Sequence, residues 1–407
     1  MLQGDAGKKI AVIRTSDRNQ FKSCRRRWHW QSHMRENREP KQAAMPLWFG
    51  TGIHYALEDY FDPLSTTPFK TSAEAFQGYV LATQMQQRQQ LPNDWEEEAE
   101  KGVAILNYFE NSWLKTRSPL ETFVYNGVSQ LEINFQVPIP FDVQKHFPNS
   151  PYHSAIYSGT IDRVTIDGNG VIWLVDYKTA KTMKSSHFAN DPQVTAYCWA
   201  ASEMYPGYEI GGMIYWQFLK TIPKQPKVLM SGKISTAKNL KTTRPLYKQA
   251  LVDLYGAVSK APQGNIDFLN ELALTEGSER DSFIRRDKIY KNRRSLESEG
   301  AKILSEMSDM LNPDLPLYPN ANFMCPHMCS FYEECVSMDD GSDWQSQLEM
   351  NTQQRSRSDE SWRSYLQKAI DKMYKKADNV YDFDNPFGID RELQDAELQL
   401  IKRDPEE

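Results

Sequence analysis

The segment GTIDRVTIDGNGVIWLVDYKTA, Gly159 to Ala180, has a run of turn formers at its centre, Asp167-Gly168-Asn169-Gly170, followed by the apolar run Val171 to Val175. β-Branched and aromatic residues on either side of such a turn predict a β-hairpin. Alternation then puts Ile172, Leu174, Asp176 and Lys178 on one side of the second strand, and Val171, Trp173, Val175 and Tyr177 on the other. Both sides are largely apolar, which predicts a central strand covered on both faces. An odd-numbered loop, Gly168 to Gly170, sets Asp162 directly opposite Asp176 on one face. Opposed residues have Cβ atoms about 4.5 to 5.5 Å apart, and carboxylates that close repel unless a proton or a cation lies between them. A divalent cation with few oxygen ligands and room for water is better met by Mg²⁺ or Mn²⁺ than by Zn²⁺. Lys178, on the face of Asp176, is placed to steady a nucleophilic water or a developing negative charge. An isolated D-x-K is usually a pair of surface charges; the acid on the neighbouring strand and the apolar run favour a site.

The chain has 407 residues, 40% of them hydrophobic and 12% aromatic, enough for one large domain or two ordinary ones. No stretch approaches the roughly 18 apolar residues of a membrane span, and the first residues carry no signal-peptide pattern, so a soluble intracellular protein is expected. A net charge of −6 argues against a general nucleic-acid coat. Charge is uneven, however: Lys22 to Arg27 and Arg285 to Arg294 are basic, and local patches can meet phosphates without a basic total.

Upstream of the hairpin, residues 15–35 predict a short helix with Ser16 as N-cap, Phe21 and Trp28 inward and the arginines toward solvent. Pro46 to Phe61 predicts a helix in which His54 and Glu58 share a face, with Gly50 and Gly52 permitting close approach of a strand or a phosphate. By itself His54 reads as a core group. Thr71 to Thr116 reads as a helical insertion, and Val128 to Ile139 as a strand with Leu131, Ile133, Phe135 and Val137 on one face. Glu132 and Gln136, on the other face, are expected at the surface.

Downstream, Ser185 to Tyr205 predicts a helix with Asp191 as N-cap, Pro192 at its first position, and Gln193 and Tyr197 one turn apart. Cys198 within it reads as a core residue. Gly211 to Leu219 predicts a further strand and Lys227 to Ser235 a weaker one; Pro245 to Lys260 and Leu296 to Leu311 predict helices framing the basic segment 285–294. Ser361 to Tyr374 puts Trp362, Leu366, Ile370 and Met373 on one helical face, expected to dock on the body, and the acidic stretch Asp378 to Glu407 is expected to be flexible.

Five cysteines without a secretory signal do not make a disulfide framework. Three of them, Cys325, Cys329 and Cys335, are spaced C-x₃-C-x₅-C and need a fourth ligand to close a structural metal site. Cys24 is the leading candidate. His327 is the alternative and favours zinc.

Taken in order, these residues resemble the RecB-like branch of the PD-(D/E)XK nuclease superfamily, and in particular its iron–sulfur members. Those include CRISPR-associated RecB-like exonucleases, the nuclease modules of AddAB helicase–nucleases, and phage exonucleases. Cys24 precedes the core; a helix carries His54; a G-x-I-D strand supplies Asp162; D-Y-K supplies Asp176 and Lys178; Q-x-x-x-Y falls on Gln193 and Tyr197; three cysteines follow. No single motif is specific, but their order over roughly residues 20 to 337 is. Two departures stand out: the family's terminal cysteines more often run C-x₂-C-x₅-C, and the tail after about residue 340 has no counterpart.

The resemblance implies an α/β fold with a restriction-endonuclease-like core, a mixed central sheet flanked by helices. It implies a division into an N-terminal segment (1–70), a helical insertion (71–120), the nuclease core (121–320), a cysteine loop (321–337) and a polar, acidic extension (338–407). By the resemblance, His54, Asp162, Asp176 and the carbonyl of Tyr177 bind Mg²⁺ or Mn²⁺, Lys178 orients the attacking water, and Gln193 and Tyr197 hold the lysine and the DNA strand. Cys24, Cys325, Cys329 and Cys335 would bind a 4Fe–4S cluster, or alternatively a structural zinc, stapling the ends of the chain. Arg25, Arg26 and Arg27 would hold DNA nearby, with Arg285 and Arg286 in the second basic segment. The activity implied is a metal-dependent DNA nuclease, an exonuclease on single strands or duplex ends in recombination, repair or replication. A helicase or recombinase would be its partner, in the cytoplasm of a bacterium or phage-infected host, with no membrane involved. Two readings compete. One is a non-catalytic DNA-binding subunit of a recombination complex, against which the full set of catalytic side chains counts. The other, a nuclease trimming DNA for CRISPR adaptation, differs in partners and not in chemistry.

Overall fold

In chain order the structure forms β1 (Lys9–Arg14), α1 (Thr15–Ser23), α2 (Arg25–Gln31), α3 (Leu47–Phe61), α4 (Ser72–Gln86), α5 (Trp95–Tyr108), β2 (Leu131–Ile139), β3 (Tyr152–Ile166) and β4 (Ile172–Ala180). Then come α6 (Pro192–Met204), β5 (Ile210–Leu219), α7 (Arg244–Tyr255), α8 (Gln263–Thr275), β6 (Ile284–Tyr290), α9 (Arg293–Leu311), α10 (Tyr332–Asp340), α11 (Trp344–Asn351) and α12 (Arg363–Lys375), besides shorter pieces. This is a computed structural model, and it describes residues 9–41, 47–86, 91, 94–114, 120–183, 191–278, 281–355 and 362–375. The expected flexible stretch from Asp378 onward lies outside the described residues.

The hairpin is β3–β4, closed by the three-residue loop Gly168 to Gly170. The Asp167 N–H donates to the Val171 carbonyl (3.0 Å), the Gly170 N–H donates to the Asp167 carbonyl (2.9 Å), and Gly170 takes φ 78°. That left-handed residue is what lets a three-residue loop rejoin the strands. Register runs from Ile166 opposite Ile172 to Arg163 opposite Val175 and stops one residue short of Asp162 and Asp176, where the Tyr177 N–H donates instead to the Asp162 carboxylate.

The main sheet runs β1-β3-β4-β5-β6, with β2 also pairing β3. β1 lies parallel to β3 and β4 parallel to β5; the β2–β3, β3–β4 and β5–β6 pairs are antiparallel. It is a mixed sheet between two helical layers. Ile172 and Leu174 pack with Val194, Ala200 and Ala201 of α6 and Ile303 and Met307 of α9, while Trp173, Val175 and Tyr177 pack with α3, α4 and α5. The double-sided burial of β4 expected from its composition is therefore present. Residues 71–116 supply α4 and α5 to the second layer, against α3.

Several elements differ from expectation. Residues 15–31 form two helices that meet at Cys24, and Arg14, not Ser16, caps the first. The arginines do not all face solvent. Arg18 is buried between Glu299 (3.1 Å) and Glu306 (2.7 Å) of α9, and Arg26 turns inward as well. Opposite charges explain this, because a buried guanidinium is tolerated where carboxylates satisfy it. Lys227 to Ser235 makes a single bridge, Val228 to Ile234, in place of a strand, and residues 284–290 form edge strand β6. Edge strands tolerate charge, which hid β6 inside a basic run. β1 and α8 had not been foreseen. α12 does dock on the body: Ala369 and Met373 pack on Leu81 and Ala82 of α4. Among the described residues no helix is long and apolar enough to cross a membrane.

Candidate active site

Face alternation breaks where the acids lie. Ile161 and Val164, three apart on β3, enter the same core cluster, and Glu132, opposite Asp162 in the β2–β3 register, has φ 46°. A left-handed glutamate within a strand is strained, and such distortions re-aim side chains. Here Glu132 turns inward to a half-buried position instead of lying on the surface as expected. Its Oε1 is 3.4 Å from His54 Nδ1, and Asp162 Oδ1 is 3.6 Å from the same nitrogen. His54 Nε2–H donates to the Tyr177 carbonyl (3.0 Å), and the Tyr177 N–H donates to Asp162 Oδ2 (2.8 Å). The histidine, read by itself as a core group, is thus the hub of the site. Beside it, Lys178 Nζ lies 2.9 Å from Oδ1 and 2.8 Å from Oδ2 of Asp176.

Gly50 and Gly52 place the helix that carries His54. A Cβ on Gly52 would lie 2.6 Å from the rings of Phe76 and Tyr79, so this glycine lets α3 approach α4. Gly50 faces Thr179, next to Lys178, at an ordinary contact distance. The close approach expected at these glycines is therefore to a helix, at Gly52, and neither to a strand nor required at Gly50.

Electrostatics follow from burial. Asp162 is pushed up to about 7, first by burial and then by the charge of Asp176. Burial also raises Asp176, against the opposing pull of Lys178. Burial disfavours the imidazolium of His54, but the hydrogen bond to Glu132 and the charges of Asp162, Glu132 and Asp176 outweigh it and lift the group to about 9. A protonated histidine therefore balances the carboxylates. His54, Glu132 and Asp162 offer ligand atoms within 4.8 Å of one another, the only such group found among the described residues. Hard oxygen donors with one imidazole and a nearby carbonyl fit a divalent cation that can replace those protons.

The other residues singled out by sequence fall at graded distances from this centre. Tyr197 is buried edge-on to Phe135, ring centroids 5.3 Å apart, where the charges of Asp176 and Asp162 reach it. Gln193 stands in the first turn of α6, its backbone N–H donating to the Asp191 cap. Asp191 also accepts from the Tyr215 hydroxyl (3.1 Å), and its charge acts on Asp176. Register sets Asp176 beside Tyr215 and Lys178 beside Gln217, then Gln217 beside Arg285 and Tyr215 beside Asp287, so this polar row crosses three strands on the site's face. Arg285 belongs to that row. Arg286 lies on the other face, 5.8 Å from the Trp113 ring centre.

Cys24, Cys325, Cys329 and Cys335 line one cavity. Backbone N–H groups of Asn320 and Asn322 donate to Cys24 Sγ (3.5 Å) and Cys325 Sγ (3.4 Å), and Arg26 Nη1 donates to Cys335 Sγ (3.2 Å) and to Asp339 (2.8 Å). Burial pushes the Cys329 and Cys335 thiols up. His327 is exposed and does not line the cavity. Of the three neighbouring arginines, Arg27 lines this cavity while hydrogen-bonding Gln31 (3.1 Å), Arg26 reaches it through Cys335, and Arg25 pairs with Asp309 (3.5 Å). Cys198 is buried in the main core.

Glu132 was the main residue missed. Its polar neighbours Gln130, Asn134 and Gln136 alternate as on any solvated strand face, and only the pairing with β3 distinguishes it. No curated protein matches the chain. The family model described as the PD-(D/E)XK nuclease superfamily matches residues 15–336, from α1 to the last cysteine. That superfamily uses divalent metals in nuclease chemistry, which agrees with the geometry around His54. The mixed sheet, the hairpin acids and this match over most of the chain establish that the protein belongs to the PD-(D/E)XK nuclease superfamily.

Proposed function

We propose that the protein is a Mg²⁺- or Mn²⁺-dependent deoxyribonuclease that hydrolyses phosphodiester bonds from the ends of single-stranded or duplex DNA. The observation that carries this is the convergence of His54, Glu132, Asp162, Asp176 and Lys178 on one hairpin and its flanking elements. His54, Glu132, Asp162, Asp176 and the Tyr177 carbonyl would hold the metal, which when bound lowers the pKa of water and offsets phosphate charge. Asp176 orients the Lys178 ammonium, whose side chain is 44% exposed, toward incoming substrate. There Lys178 donates to the water that attacks phosphorus and stabilises charge developing on the phosphoryl oxygens. Tyr197, packed under the acids, keeps that floor dry, and Arg285 meets the DNA strand along the polar row.

We infer that Cys24, Cys325, Cys329 and Cys335 hold a 4Fe–4S cluster, with zinc as the alternative: all four line one cavity, and N–H donors from Asn320, Asn322 and Arg26 are aimed at three of their sulfurs, as metal-bound thiolates favour.

The decisive experiment digests end-labelled linear and covalently circular single-stranded DNA with Mg²⁺ or Mn²⁺, using wild type, Asp176→Ala and Lys178→Ala. Linear DNA should be degraded by wild type, circular DNA spared, and both variants slowed by at least about a hundredfold. Equal rates in all three proteins would sink the catalytic assignment, and cleavage of the circle would replace exonuclease by endonuclease.

A further inference from the structure

The family match ends at residue 336, yet Trp362 and Arg363, at the start of α12, reach the rim of the acidic site. Trp362 packs edge-on between Tyr55 of α3 and Tyr79 of α4, with ring centroids 4.9 and 4.7 Å away. The next residue, Arg363, is thereby laid along α3. Its Nη2 is 2.7 Å from Glu58 Oε2, and its guanidinium carbon is 5.5 Å from the Tyr55 ring centre and 4.9 Å from that of Trp362. Glu58 is one helical turn beyond His54, and its carboxylate feels the charges of both Arg363 and Glu132. The arginine thus borders the group of metal-ligating residues.

One feature exceeds what a helix clasp requires: the Arg363 side chain remains 50% exposed despite its aromatic neighbours. The inner wall of the site is acidic, and its lysine is engaged by Asp176, so a polyanion needs cations at the edge.

We propose that Arg363 binds a phosphate of the DNA strand flanking the scissile one, so that the start of α12, beyond the family match, completes the substrate site. This rests on the DNA-nuclease reading above. A guanidinium presents paired N–H donors to phosphate, and its stacking against Trp362 and Tyr55 fixes the plane in advance.

The test uses the full-length protein and a short fluorescein-labelled single strand, with Ca²⁺ in place of Mg²⁺ so that DNA is bound and not cut. Arg363→Ala should weaken binding about tenfold and lower the slope of log affinity against log salt by about 0.7, the loss of one phosphate contact on a single strand. Arg363→Lys should keep the slope. Glu58→Gln, which frees the arginine and removes a negative charge, should bind as tightly as wild type or more so. If Arg363 merely clasps α12 to α3, Arg363→Ala and Glu58→Gln will lower the melting temperature alike and leave affinity and salt slope unchanged; that result overturns the proposal. Should Arg363→Ala fail to fold, Arg363→Gln against Arg363→Lys makes the same comparison. Wild type that cuts DNA while Arg363→Ala binds normally removes this inference alone. Wild type that neither binds nor cuts removes the functional reading with it.

Discussion

At the scale of single residues, the site is a group of acids kept together by protons. His54 holds one up to about pH 9 and Asp162 up to about pH 7. A cation must displace both, so Mn²⁺ affinity should rise with pH between about 6 and 9, with proton release measurable by calorimetry in buffers of different ionisation enthalpy. Affinity independent of pH would contradict this arrangement. The metal-free protein should show the converse in its stability. A buried acid with a raised pKa costs stability as pH climbs from about 4 to about 7, because the unfolded chain gives up that proton earlier. The raised histidine contributes fully below about 6.5 and loses its contribution by about 9. Both trends fall in the same direction, so the melting temperature without metal should decline across that range. Asp162→Asn should flatten its acidic half. Glu132 belongs to this group through a backbone conformation that its neighbours in sequence do not signal; Asp162, Asp176 and Lys178 were legible because a marked turn of three residues brings their strands together, although the strand pairing itself ends just before the two acids.

At the scale of elements, what sequence made plain and what it hid divide along local and non-local contacts. The hairpin, α6 with its Asp191 cap and Pro192, and the double-sided β4 follow from patterns within a dozen residues. β1, β6 and the role of Glu132 depend on partners far along the chain: β1 pairs with residues near 155, and β6 with β5 some seventy positions earlier. Gly52 shows how an element is placed. Two residues before His54, it lies where any Cβ would meet the Phe76 and Tyr79 rings. Gly52→Ala should push α3 from α4, cost about 1–3 kcal/mol in thermal or urea unfolding, and weaken Mn²⁺ binding through the displaced histidine. Normal metal affinity in a destabilised variant would show that His54 is held by its hydrogen bonds to Tyr177 and Glu132 and not by its helix.

For the whole molecule, the two ends of the family match are joined. Cys24 meets the three late cysteines, Arg18 meets Glu299 and Glu306, and residues 38–40 pair with 352–354. Metal analysis of anaerobically purified protein should find iron and acid-labile sulfide. Cys329→Ser should lose both and about 2–5 kcal/mol of stability, the scale of a covalent cross-link over a long loop. One zinc per chain, in colourless protein, would refute the cluster and leave the hairpin chemistry intact.

The same closure sets an order of events at the ribosome. Residues 9–41 are synthesised first, but several of their partners emerge only after residue 299, and the Arg363 side chain later still. A nascent chain therefore carries its hairpin acids early while its first helices wait, and translation arrest before residue 325 should leave residues 9–41 open to protease that the released chain resists. The acidic site, spread over residues 54 to 178, is thus encoded well before the contacts that lock the first helices, which makes those helices the last part of the core to be secured.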